Sequence, residues 1–246
     1  MDHSSDFLNE QVIADALAQG ANPSHSRVEE ILAKALLEKG LDLNEAAVLL
    51  SVTDPEQTER IRSAARTVKE SIYGKRVVLF APLYLSNYCV NNCEYCGFRR
   101  DNLELERRAL DFPEVEQEVR LLLQQGHKRL LLVFGEHPRY ANLEYMGGVI
   151  KRVYAATEGA GKSIRRVNVN CAPMDTESFR SLKSFGIGTY QCFQETYHRE
   201  TYKRMHTSGP KSNYDFRVTA MHRALDAGID DVGIGVLYGL DRKSVV

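Results

Sequence analysis

The chain has no long apolar run: the longest, around Val77 to Leu85, is far too short to span a bilayer. It has no excess of either charge, with 32 Lys and Arg against 33 Asp and Glu. Nothing therefore draws it generally to nucleic acid or to an anionic membrane. Its opening residues, MDHSSDFLNE, carry acids and lack the basic, apolar pattern of an export signal. A cytoplasmic protein is expected, with no nucleic-acid partner and no membrane partner. Cysteine is scarce too, at five in 246 residues. Three of the five are crowded together, which argues against a disulfide framework. Low-complexity segments and short-period repeats are absent. What remains, 43% hydrophobic and 26% charged, is the composition of an ordinary globular protein of one large domain, or of one domain with a small appendage.

The crowded cysteines lie in Tyr88-Cys89-Val90-Asn91-Asn92-Cys93-Glu94-Tyr95-Cys96-Gly97. The C-x3-C-x2-C spacing puts three thiolates on one short loop. Three thiolates can hold three irons of a 4Fe–4S cluster and leave the fourth open to a small ligand, whereas closed electron-transfer clusters take four cysteines. The usual ligand of an open iron is S-adenosylmethionine (SAM). Structural zinc is the alternative, but it wants four ligands, and no histidine sits nearby in sequence. Cys171 and Cys192 lack ligand spacing and are expected as small buried apolar residues.

Residues 1–74 carry helical patterns only. Val28, Ile31, Leu32, Ala35 and Leu36 share one helical face, with Gly40 as the expected stop. Asp54-Pro55 offers an N-cap and a first-turn proline, and Ile61, Ala64, Ala65 and Val68 continue the stripe to Gly74. These helices read as a cap, residues 1–74. From residue 75 the rhythm changes. Strands are expected at Val77–Ala81, Leu130–Phe134, Ile164–Asn170, Ile187–Phe193 and Val232–Leu237. Helices are expected between them, at Glu114–Gln125, Leu143–Thr157, Glu177–Ser184 and Tyr214–Ala227. Alternation of this kind implies an α/β fold with a parallel sheet, curled by right-handed crossovers into part of a TIM-type barrel over residues 75–240. Reactive groups then gather beyond the C-terminal ends of the strands, where the cysteine loop lies.

The cysteine loop, with aromatic Tyr95 before the last cysteine, resembles the radical SAM superfamily. The segments APLYLSNYCVNNCEYCGFRRDN (81–102), RRVNVNCAP (165–173), GIGTYQCFQETYHRETYKRMH (186–206) and AGIDDVGIGVLYGL (227–240) are similar to the HydG-type tyrosine lyases of FeFe-hydrogenase maturation. The resemblance implies that Cys89, Cys93 and Cys96 ligate the 4Fe–4S cluster and that Tyr95 lies by the SAM adenine. It assigns Gly135-Glu136 to the methionine amino group, although Phe134 stands where the superfamily often has glycine. It assigns Glu195 and Arg217 to the SAM ribose and carboxylate, and brings the backbone of Gly233-Ile234-Gly235 close to the adenine. An arginine fork suits a carboxylate, and glycine and aromatic residues suit a flat purine slot. His198, Tyr190, Tyr197 and Tyr202 are candidates to line a substrate cavity, or else simply pack. Gly209-Pro210-Lys211-Ser212 lacks the glycine spacing of a phosphate loop.

By resemblance, an electron delivered to the cluster splits SAM, and the 5′-deoxyadenosyl radical takes hydrogen from L-tyrosine. Cα–Cβ scission then gives p-cresol and a glycine-derived fragment, the source of carbon monoxide and cyanide. The implied partners are a small redox protein as electron donor and the other hydrogenase maturation proteins. One alternative is a thiazole-synthesis tyrosine lyase that makes dehydroglycine. A biotin-synthase-like sulfur inserter would need a second cluster, for which Cys171 and Cys192 are too few. The third alternative is an inactive cluster-binding fragment, since only five strands are expected and the family continues past Leu240. Residues 241–246 depart from the family pattern and can be encoded by adapter-like DNA, GAT CGG AAG AGC GTC GTG, so a non-native tail is expected there.

Overall fold

The computed structural model describes residues 4–240. The tail expected to be non-native, 241–246, lies outside the described residues. The chain divides into two compact units, residues 6–78 and residues 79–240 together with residues 4 and 5.

Four helices make the first unit: α1 (Glu10–Gly20), α2 (His25–Leu36), α3 (Leu43–Leu50) and α4 (Pro55–Tyr73). Asp54 caps α4 by accepting from Gln57 N at 2.9 Å. Asp42 and Glu45 form a reciprocal capping box on α3. Val28, Ile31, Leu32, Val48 and Ala64 bury the shared apolar faces. Helix α2 stops four residues before Gly40, because Glu38 turns into the left-handed region at φ 59° and its N–H closes on Ala35 O at 2.9 Å.

The second unit is built on five parallel strands: β1 (Ala81–Ser86), β2 (Arg129–Phe134), β5 (Arg166–Asn170), β6 (Tyr190–Gln191) and β7 (Val232–Gly233). Each joins the sheet beside its predecessor, in the order β1-β2-β5-β6-β7, which is the partial (βα) barrel expected of the sequence. Helices α5 (Phe112–Gln124), α6 (Leu143–Ala155), α7 (Thr176–Ser184), α8 (Arg199–Met205), α9 (Tyr214–Val218) and α10 (Ala220–Asp226) lie along the connections. A small antiparallel hairpin, β3 (Thr157–Glu158) with β4 (Lys162–Ser163), follows α6. No helix among the described residues is long and apolar enough to cross a membrane.

The first strand corrects the sequence expectation. The apolar run Val77–Phe80 is not strand and is exposed, Val77 to 78% and Leu79 to 74%. Strand β1 begins at Ala81, where Ala81, Leu83 and Leu85 are buried and Pro82 and Tyr84 are not. Alternation decides the register, and an unbroken apolar run has none. Pro82 is tolerated because β1 is an edge strand and one missing donor there disrupts no inner ladder.

Leu130, Leu132 and Phe134 of β2 share one core with Val115, Val119 and Leu123 of α5 and Met146, Val149, Ile150 and Val153 of α6. Leu132 has no solvent exposure. Leu132→Ala should cost about 2–5 kcal/mol of stability by transfer and cavity terms together. Denaturant titration checks this; a loss below about 1 kcal/mol would mean that β2 is not at the centre of the core.

Candidate active site

The sheet aims its C-terminal ends at one cleft. Its walls are Cys89, Asn91, Cys93, Cys96 and Phe98 from the loop after β1, Phe134 at the end of β2 with Gly135 and Glu136 after it, Asn170, Cys171 and Ala172 at the end of β5, and Phe193 and Glu195 after β6. Lys211 and Arg217 close it from the segment that leads into and through α9.

Local hydrogen bonds fix the cysteine loop. Gly135 N donates to Ser86 O at 2.8 Å and Val90 N to Glu136 O at 2.8 Å, which stitches the start of the loop to the end of β2. On the other side Asn92 N donates to Ser208 O at 3.1 Å and Glu94 N to Met205 O at 3.0 Å, with Cys93 bridged to His206. The Arg107 guanidinium spans the end of the loop, donating to the carbonyls of Asn87 (2.6 Å), Phe98 (2.9 Å), Arg99 (2.6 Å) and Asn102 (3.3 Å). A loop with no regular structure thus has its backbone groups paired on both flanks.

Burial pushes the Cys93 thiol up to about 11; Lys211 pulls it down, and the Cys96 and Cys89 sulfurs push it up further. A bound cation reverses that balance, because metal ligation needs thiolates and releases their protons. No three His, Cys, Asp or Glu side chains among the described residues converge on a single-ion site. A cubane takes three thiolates on three separate irons, so that geometry does not bear on a cluster. The donor set fits one: three thiols from one loop line the cleft, and aromatic Phe98 and Phe193 line it too.

Arg217 lines the cleft as well, with Nε and Nη2 donating to Phe193 O at 3.1 and 2.8 Å. Glu195 holds φ 71°, one of three non-glycine residues with positive φ among the described residues. Strain of this kind, of order 1–3 kcal/mol, persists where the surroundings over-determine the backbone. Here Leu237 N donates to Glu195 O at 2.8 Å, and the Lys211 ammonium bonds Glu195 Oε1 at 3.1 Å, both side chains being largely buried.

Seven of the residues singled out from sequence meet in this cleft: Cys89, Cys93, Cys96, Gly135, Glu136, Glu195 and Arg217. Tyr95, Gly233 and Gly235 do not line it. The Tyr95 hydroxyl donates to His206 Nε2 at 2.8 Å, because His206 Nδ1–H is spent on Tyr202 O at 2.8 Å. Burial, with Lys211 adding to it, lowers His206 to about 4 and keeps it neutral. Gly235 backs onto the Phe193 ring, where a Cβ would come within 2.7 Å of Cδ1.

Of the aromatic candidates, Tyr190 is fully buried, Tyr202 sends its hydroxyl to Lys211 O, and His198 caps α8. None of them, nor Tyr197, lines the cleft. Cys171 is buried as expected but also forms part of the wall. Asn91 and Lys211 were not legible in advance. Lys211 sits in the Gly-Pro-Lys-Ser run whose only recognisable pattern was an incomplete phosphate loop.

The Radical SAM superfamily profile matches residues 83–245, and the chain belongs to that superfamily. Its members bind a 4Fe–4S cluster and SAM. Among solved structures the chain is similar to HydG, a maturase of the FeFe-hydrogenase, at 50% identity and TM-score 0.94 over 97% of this chain and 53% of that one. HydG from Carboxydothermus hydrogenoformans gives 42% identity and TM-score 0.84 over 94% and 53% of the two chains. Among curated proteins, 2-iminoacetate synthase of Escherichia coli (strain K12) is 32% identical over 207 residues, 84% of this chain and 53% of the relative. The chain spans about half the length of the relatives it matches.

Proposed function

We propose that this chain is the cluster- and SAM-binding part of a tyrosine lyase of the HydG type, serving FeFe-hydrogenase maturation. The observation that carries the proposal is the single cleft in which Cys89, Cys93 and Cys96 face Glu136, Glu195 and Arg217. When bound, the cluster and SAM supply the radical chemistry, and the protein supplies orientation and exclusion of water. Cys89, Cys93 and Cys96 hold the cluster and leave one iron for SAM. Gly135 and Glu136 take the methionine amino group and Arg217 the carboxylate, with Glu195 on the ribose. By resemblance alone, Tyr95, Gly233 and Gly235, which do not line this cleft, would flank the adenine beyond it. Residues 1–74 are read as a helical domain of their own and residues 75–240 as the barrel segment. An electron comes from a small redox protein, L-tyrosine is the substrate, and the products pass to the other maturation proteins in the cytoplasm.

Identity favours the maturase type over the thiazole type, at 50% across nearly the whole chain against 32% across 84% of it. Anaerobic incubation of the reconstituted holoprotein with SAM, reductant and tyrosine is the test. 5′-Deoxyadenosine and p-cresol are the products that would support the lyase reading; carbon monoxide and cyanide are not expected of this chain, which spans about half the length of the HydG structures it matches. Deoxyadenosine without p-cresol would remove tyrosine as the substrate.

Arg217→Ala should weaken SAM binding by about 1.5–3 kcal/mol, the range for a hydrogen bond to a charged group, while the cluster still assembles. Glu136→Ala should weaken it as well. Anaerobic calorimetry reads both, and unchanged affinity in the pair would show that SAM lies elsewhere.

A further inference from the structure

Asn91 stands between the first two cysteines, and its side chain is spent in three directions. Nδ2 donates to Glu136 Oε2 at 2.6 Å and lies 3.6 Å from Cys89 Sγ, within reach of the longer hydrogen bonds that sulfur accepts. Oδ1 accepts from Lys211 N at 2.8 Å. Asn91 is only 2% exposed. The amide orientation is forced, because a flip would set oxygen against a carboxylate and NH2 against a backbone N–H. The surroundings are fitted to it as well. A Cβ on Gly209 would fall 2.5 Å from Asn91 Oδ1 and 2.8 Å from its Cα, and Gly209 holds φ 91°. The backbone joins in, with Arg100 N donating to Asn91 O at 2.8 Å.

We propose that Asn91 is a positioning residue that joins the two cofactor sites. One amide N–H steadies the Cys89 sulfur, and the other holds the Glu136 carboxylate where the methionine end of SAM is bound. This assignment rests on the cluster and SAM placement proposed above. Two consequences follow from its chemistry. Hydrogen bonds to cluster sulfurs favour the reduced, more negative state, so the Asn91 donor raises the potential. Such outer contacts also fix the ligands they touch, so the same donor sets the geometry of Glu136 toward SAM. Through Oδ1 the amide ties both to the Lys211–Glu195 pair in the same cleft.

The test uses the reconstituted holoprotein carrying Asn91→Ser or Asn91→Asp. Serine shortens the side chain and leaves a single hydroxyl donor, which cannot serve Glu136 and Cys89 together, without adding charge. Aspartate keeps the shape and the acceptor for Lys211 N but abolishes both donors. Iron and sulfide content should stay at the wild-type level in each, because all three cysteines remain. The midpoint potential, read by redox titration of the paramagnetic reduced cluster, should move to more negative values in both. SAM affinity should fall about tenfold, the effect of one charge-assisted hydrogen bond. Wild-type potential and affinity in loaded variants would overturn the proposal. Failure of both variants to load would also overturn it, by assigning Asn91 to loop folding alone. Failure of the wild-type protein itself to load a cluster would instead sink the cluster placement.

Discussion

Replacing any one of Cys89, Cys93 or Cys96 with alanine should reduce bound iron and sulfide to background after reconstitution. The three sulfurs come from one loop and line one cleft, and no other thiol is placed to substitute for them. Cys171 also lines the cleft, but it follows the end of β5 rather than belonging to the cysteine loop, and burial drives its thiol strongly upward. A buried thiol held protonated is a poor ligand until something draws off its proton. Cys171→Ala and Cys192→Ala should therefore load close to wild type. Two thiolates cannot retain a cubane against exchange with solvent thiols, so each loop variant should lose the whole cluster rather than a third of it. Metal analysis with the visible iron–sulfur absorption gives the answer. Iron content that followed Cys171 instead would place the cluster elsewhere in the fold.

Gly135→Ala should be nearly as damaging, through the backbone rather than through a ligand. A Cβ at this position would lie 2.3 Å from Tyr88 O and 3.0 Å from Tyr88 C, far inside contact distance. Neither side can yield cheaply. Gly135 N is bonded to Ser86 O, and Val90 N to Glu136 O, so strand end and loop are stitched on both sides of the clash. The methyl group must push Tyr88 and Cys89 away from β2. Overpacking of this kind costs about 1–3 kcal/mol, and the displacement falls on the first cysteine. Lower denaturation midpoints and impaired cluster loading are expected together. Gly97→Ala is the control in the same loop, since a Cβ there meets nothing within 4 Å. Wild-type stability and loading in Gly135→Ala would mean that this crossing is looser than described.

Much of this was legible in the sequence, for reasons that differ from element to element. The cysteine spacing is local, so three candidate ligands could be named from ten residues, and the fold brings all three to one cleft. Helix α4 was legible because Asp54-Pro55 writes its own start, and the order of strands and helices follows from alternating patterns. The first strand was misplaced by five residues at its end, because Val77–Phe80 is more apolar than the alternating Ala81–Ser86 yet remains exposed. Strands β6 and β7, each two residues long, are far shorter than the apolar runs that contain them. Asn91 and Lys211 could not be read at all. Their roles depend on a backbone contact across 120 positions, and no local pattern records that Gly209 must be bare for Asn91 to fit. Cys171 was expected in the core and is there, but only the topology shows that the core at that level is also the cleft wall.

The central claim is that three cysteines hold a 4Fe–4S cluster with one iron left open to SAM in this cleft. Electron paramagnetic resonance of the dithionite-reduced, reconstituted protein, recorded with and without SAM, tests it most directly. A cluster signal whose g-values shift on adding SAM is the expected result, and Arg217→Ala should need more SAM for the same shift. A loaded cluster whose spectrum ignores saturating SAM would contradict the claim, because its fourth iron would then be closed.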